Sequence, residues 1–122
     1  MHMPTELDFA VTNRAEGDGT PIITVAGEVD LYRIPALTQA LESASGTARV
    51  VLDLRDVTFL DSATLALLVR EHRRLQEAGG ELIVRVGEQT PTTAFAVTGF
   101  DRILAIQYAG AAGAQGEKAA EG

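Results

Sequence analysis

The sequence predicts an α/β fold, a mostly parallel five-stranded sheet with an N-terminal antiparallel edge strand and crossover helices. Three observations carry this. Five short runs rich in Val, Ile or Leu recur along the chain, each bounded by Gly, Asp, Asn or Pro. Helical patterns separate the last four of these runs. The first two are joined only by the polar, Gly-containing stretch Asn13–Gly19, which suits a hairpin loop and not a crossover. The order β-β-α-β-α-β-α-β then follows, with parallel pairing and right-handed crossovers.

The expected strands are Leu7–Val11, Ile22–Ala26, Val50–Leu54, Leu82–Val86 and Ile103–Gln107. In the first, Leu7, Phe9 and Val11 alternate with Asp8 and Ala10, the pattern of an edge strand with one wet face. Val50-Val51-Leu52 is continuous, as a central strand covered on both faces requires. The first helix is expected over Ile34–Ala44, where Ile34, Leu37, Ala40, Leu41 and Ala44 form a stripe at three- and four-residue spacing and Pro35 fits the first turn. The second is expected over Ser62–Ala78. Leu65, Leu68, Val69, His72 and Leu75 share one face; Arg70, Glu71, Arg73, Arg74 and Glu77 point elsewhere, and Gly79-Gly80 stops it. A short third helix fits Pro91–Val97, ended by Gly99. From Ala109 to Gly122 no large apolar residue occurs, so 109–122 is expected to be a flexible Ala/Gly-rich tail behind a single domain, 1–108.

Composition excludes more than it proposes. The 122 residues contain no cysteine, which rules out disulfide frameworks, thiolate metal sites and thiol catalysis. Ten Lys and Arg against 17 Asp and Glu give a formal charge of −7. That balance opposes nucleic-acid binding and electrostatic docking on anionic lipid. No apolar run approaches the ~20 residues of a membrane span, and Met1-His2-Met3-Pro4 lacks the plan of a signal peptide. A cytoplasmic location is expected. Nucleotide-binding loops and the Gly-x-Ser-x-Gly elbow are absent, so no catalytic residue, cofactor or metal is expected. Asp53 suggests a receiver-type phosphoacceptor, but the acidic pair such a site needs after its first strand is replaced by Thr12-Asn13-Arg14; Asp53 and Asp56 are read as a strand-end turn. His72, alone on the apolar stripe, reads as a packing residue, and the Arg70, Arg73, Arg74 run as a small basic face open to an acidic partner.

The informative stretch is Val50–Leu68, where a buried strand passes through a short loop into a helix. Asp61 and Ser62 stand at that junction. One of them is expected to cap the helix. A hydroxyl there is exposed, and the free amides and helix dipole favour an added phosphate, which brings about −1.5 to −2 charges at pH 7.

Asp61-Ser62-Ala63-Thr64-Leu65-Ala66-Leu67-Leu68 resembles the Asp-Ser-Ser/Thr-Gly-Leu-Gly signature of bacterial anti-sigma factor antagonists, the STAS domains. Gly27-Glu28-Val29-Asp30-Leu31, followed by Pro35-Ala36-Leu37, is similar to the family's Gly-Glu-Leu-Asp motif leading into its first helix. Ala78-Gly79-Gly80-Glu81-Leu82, with Phe95 and Thr98-Gly99-Phe100, resembles the last βαβ unit. The resemblance spans roughly Leu7–Tyr108 and implies a STAS fold. It also implies a non-enzymatic protein that binds an anti-sigma factor with serine kinase activity and so releases a sigma factor. Phosphorylation of Ser62 by that kinase breaks the complex, and a serine phosphatase restores it. Asp30, Asp61, Ser62, Ala63 and Thr64 form the implied partner-binding surface, with neither nucleic acid nor direct membrane contact. The chain departs from the signature at Ala63, in place of the second Ser/Thr, and at Thr64, in place of Gly. Two other roles known for small STAS proteins stand beside this one: an accessory subunit of an ABC-type lipid transporter, and a stressosome-type scaffold.

Overall fold

The computed structural model of the chain describes residues 9–44, 46 and 48–108. The expected tail and the expected start of the first strand at Leu7 lie outside the described residues. The elements run β1 (Phe9–Ala15), β2 (Pro21–Val29), a 3₁₀ turn (Leu31–Arg33), α1 (Ile34–Ser43), β3 (Arg49–Leu60), α2 (Ser62–Glu77), β4 (Glu81–Val86), α3 (Thr93–Thr98), a second 3₁₀ turn (Phe100–Arg102) and β5 (Ala105–Tyr108). The sheet order is β1-β2-β3-β4-β5. β1 is antiparallel to β2, and the other pairs are parallel. The predicted fold class and element order are those observed.

One core lies between the sheet and the helices. Leu37 and Leu41 of α1, Leu65 and Leu68 of α2 and Phe95 of α3 pack with Ile23, Val25, Leu52 and Val84. A strictly sequential parallel order with right-handed crossovers puts successive helices on one face, and this shared core places all three there. The other face carries cross-strand rows set by the register. One row is Arg14, Ile22, Val51, Ile83 and Ala105; the next is Thr12, Thr24, Asp53, Arg85 and Gln107.

Helix ends follow their sequence signals. Pro35 sits in the first turn of α1. α2 ends in a Schellman motif: Gly80 N–H donates to the Leu75 carbonyl at 2.7 Å and Gly79 N–H to Gln76 at 2.9 Å, with Gly79 at φ 87°.

Three expectations are corrected. β1 continues through Asn13-Arg14-Ala15, which pair with Ile23, Ile22 and Pro21, so the hairpin loop is shorter than Asn13–Gly19. β3 does not stop at Leu54. It runs to Leu60, and Asp53 and Asp56 lie inside it, not in a strand-end turn. Glu71 does not point away from the core: it is buried, and Arg74 Nη2 donates to it at 2.5 Å. The aliphatic length of Glu71 lies in the packed face while its carboxylate is held by a partner one turn on.

β3 is long because it bulges. From Thr24↔Asp53 to Ala26↔Asp56, two steps on β2 match three on β3; from Gly27↔Val57 to Glu28↔Phe59, one step matches two. Asp53 secures the first bulge. Its Oδ1 accepts the Arg55 amide at 3.0 Å and its Oδ2 accepts Arg55 Nη2 at 2.7 Å. Burial pushes the Asp53 carboxyl up, but the hydrogen bonds and charge of Arg55 outweigh that and hold it below the usual carboxylate range. The neighbouring Leu54 carbonyl is satisfied by the buried Thr90 hydroxyl at 2.7 Å.

Candidate partner-docking site at the strand ends

Parallel pairing gathers the C-terminal ends of β2 and β3 at one pole, in register at Val29↔Leu60. The next residues are Asp30 and Asp61, so the sheet itself brings the two sequence motifs side by side. Both aspartates do the same local work. Asp30, in extended conformation, accepts the Tyr32 amide on Oδ1 at 3.0 Å and caps the 3₁₀ turn. Asp61, also extended, accepts the Thr64 amide on Oδ1 at 2.9 Å and caps α2. The expected cap is therefore Asp61, and Ser62 is the first residue of the helix.

The hydroxyls of the signature separate sharply. Ser62 is exposed at the helix start. Thr64 is 1% exposed, and its hydroxyl shares its proton between Asp61 Oδ1 at 2.8 Å and the Val29 carbonyl at 3.3 Å. With the Asp61 amide donating to the same Val29 carbonyl at 3.4 Å, Thr64 ties the start of α2 to the end of β2. The bulk that replaces the family's Gly is thus turned inward. Ala63 is half-buried between the two hydroxyl residues.

Two surface features at this pole escape the sequence patterns. Leu31 is 61% and Tyr32 84% exposed on the 3₁₀ turn beside Asp30, and Phe59 stands exposed opposite Glu28. Helical periodicity gives no reason to expect them outside, because the turn precedes α1 and the strand bulges before Phe59. These exposed apolar side chains stand at the same strand ends as Glu28, Asp30 and Asp61, a mixture that suits contact with a protein. Among the described residues no three metal-ligating side chains converge, and no helix is long and apolar enough to cross a membrane.

Comparison with known proteins gives this pole a context. A protein named anti-sigma-B factor antagonist from Listeria monocytogenes is 32% identical over 87 residues, covering 70% of this chain and 76% of the relative. One of the same name from Bacillus subtilis is 29% identical over 94 residues, covering 76% and 86%. The crystal structure of an anti-sigma factor antagonist from Mycobacterium paratuberculosis superposes with a TM-score of 0.71 at 27% identity, covering 80% of this chain and 84% of that one. The family model described as "Mlab, STAS domain" matches residues 12–106. Both motifs, the pole they form and the three central strands β2, β3 and β4 lie within that match, and the chain belongs to the STAS domain family.

Proposed function

We propose that this chain is an anti-sigma factor antagonist. It binds an anti-sigma factor that is also a serine kinase, releases the sigma factor, and is switched off when the kinase phosphorylates Ser62. A serine phosphatase resets it. The chain acts in the cytoplasm as a binding partner and kinase substrate, not as a catalyst. The relatives' names support the antagonist role. The observation that carries the switch is the contrast at the α2 start: Ser62 is exposed while Thr64 is buried and hydrogen-bonded, so one hydroxyl of the signature is open to a kinase. Asp30, Asp61, Ala63 and the inward-facing Thr64 shape the surface around it.

The electrostatics fit a release mechanism. The pole already carries Asp30 and Asp61. A phosphate adds about −1.5 to −2 charges and three strongly hydrated oxygens. A partner that closes on neutral Ser62 must desolvate that charge, and the complex dissociates.

Incubation with ATP and the anti-sigma factor kinases of the source organism, each purified, should add one phosphate at Ser62 by intact mass and fragmentation. Ser62→Ala should accept none, and Ser62→Asp should bind the anti-sigma factor more than tenfold more weakly, a loss above ~1.4 kcal/mol. Modification elsewhere, no modification, or equal affinity of wild type and a folded Ser62→Asp variant overturns the reading. So does stable co-purification with a transporter ATPase or recovery in a large homomeric scaffold.

A further inference from the structure

Ser62 is the first residue of an exposed stripe. Ser62, Ala66, Arg70, Arg73 and Glu77 follow at helical spacing, and all five are exposed. The lower part of this stripe borders a groove of about 620 Å³ between α2 and the turn at Phe100. Ala66, Val69 and Phe100 form its apolar floor, and Arg70, Arg73 and Arg74 its rim, with Glu77 at the far end. Arg74 is engaged by Glu71. Arg70 and Arg73 have no ion-pair partner among the described residues.

Two unpaired guanidinium groups over an apolar floor stand out on a chain of net charge −7. A merely solvated helix face does not need a groove, and a packing groove does not need free cations. We propose that this groove docks an acidic, amphipathic segment of the anti-sigma partner: carboxylates pair with Arg70 and Arg73, and an apolar side chain sits over Val69 and Phe100. The inference rests on the antagonist reading for the identity of the partner and on charge complementarity for its chemistry. It extends the interface beyond the Ser62 pole. Arg70 lies eight positions after Ser62, about 12 Å along the helix, so the docking surface is bipolar, acidic where the phosphate enters and basic below.

This arrangement has a functional consequence. Groups ~12 Å apart without shared partners act additively. The groove then supplies affinity that the Ser62 switch does not control, so the kinase can hold its substrate by one end while modifying the other.

The test uses the full chain and two probes by fluorescence anisotropy. One is the purified anti-sigma factor. The other is a labelled synthetic helical peptide with Glu on one face and Leu on the other, compared with its Gln counterpart. Arg70→Glu/Arg73→Glu should weaken the anti-sigma factor by roughly tenfold or more, with an equal factor in the Ser62→Asp background. Wild type should prefer the Glu peptide to the Gln peptide and lose that preference at ~0.5 M salt. Circular dichroism checks that the variant is folded; Arg70→Gln/Arg73→Gln, which removes charge without reversing it, should give a smaller loss in the same direction. Unchanged binding in the charge variants, or equal affinity for the two peptides, overturns the proposal. So does wild-type dimerisation abolished by the double substitution, which assigns the groove to a second copy. If the anti-sigma factor does not bind wild type while the Glu-peptide preference holds, the antagonist reading fails and the acidic-segment groove stands.

Discussion

Thr64 lies in the first turn of α2, two residues after the exposed Ser62. Against the signature it is a departure, a β-branched residue in place of Gly. In the fold it is a buried strut, bonded to the cap carboxylate and to the end of β2. Its role was not legible in the sequence because its partners are the Asp61 side chain three residues back and a backbone carbonyl thirty-five residues away. The hydroxyl bonds are worth testing with shape held constant. Thr64→Val keeps the volume and leaves the Val29 carbonyl and Asp61 short of a donor, so it should cost about 1–3 kcal/mol. Thr64→Ser should recover most of that, apart from a small packing loss. Urea denaturation measures both; a Val variant as stable as wild type would show that the bonds carry no weight. Asp61 and Asp30, by contrast, were legible, since Asp before a helical turn is a common cap.

At the scale of elements, the strands were visible as Val, Ile and Leu runs, and their order followed from the helices between them. What escaped was the length of β3. Arg55, Asp56 and Thr58 read as loop residues, yet they sit in a strand that twice slips one residue ahead of β2. Polar residues are tolerated where a bulge breaks the inward–outward alternation, and local periodicity does not register an extra residue. The Asp53–Arg55 pair is what makes the first slip stable, and it yields a pH prediction. Asp53 is 2% exposed and held below the usual carboxylate range, mainly by hydrogen bonds from Arg55 working against burial. A lowered native value means that the contribution is complete above the unfolded value of ~3.9 and is lost as pH falls through the native one. Wild-type stability should therefore fall in acid below about pH 4 more steeply than that of Asp53→Asn. At neutral pH the Asn variant should be less stable by roughly 1–3 kcal/mol, discounted because Arg55 is partly solvated. Parallel pH–stability curves for the two proteins would remove Asp53 from the acid transition.

At the scale of the whole molecule, the sequential strand order puts three helices on one sheet face and the ends of four parallel strands at one pole. The site is therefore one corner of the sheet, beside the packed core. Its components, Asp30, Asp61 and Ser62, are placed by the Val29–Leu60 register and by the Asp61 amide bond to the Val29 carbonyl. The cap fixes what a phosphate can reach. Asp61 already accepts the Thr64 amide, and Leu65 N–H already donates to the Asp61 carbonyl at 3.2 Å. The amides of Ser62 and Ala63, in the first turn and without intrahelical partners, are left to attract the new charge. Phosphorylation should then act on the surface and leave the fold unchanged. Amide chemical shifts should move around residues 28–33 and 59–66, the two strand ends and their caps, while the shifts of β4, β5 and the far end of α2 stay in place. Shift changes spread through the sheet, or a lost cap signature at Thr64, would mean that release works by rearranging the molecule. Confined shifts with lost partner affinity would locate the switch in the charge and hydration of one corner, which is what a sheet and helices packed on one core allow.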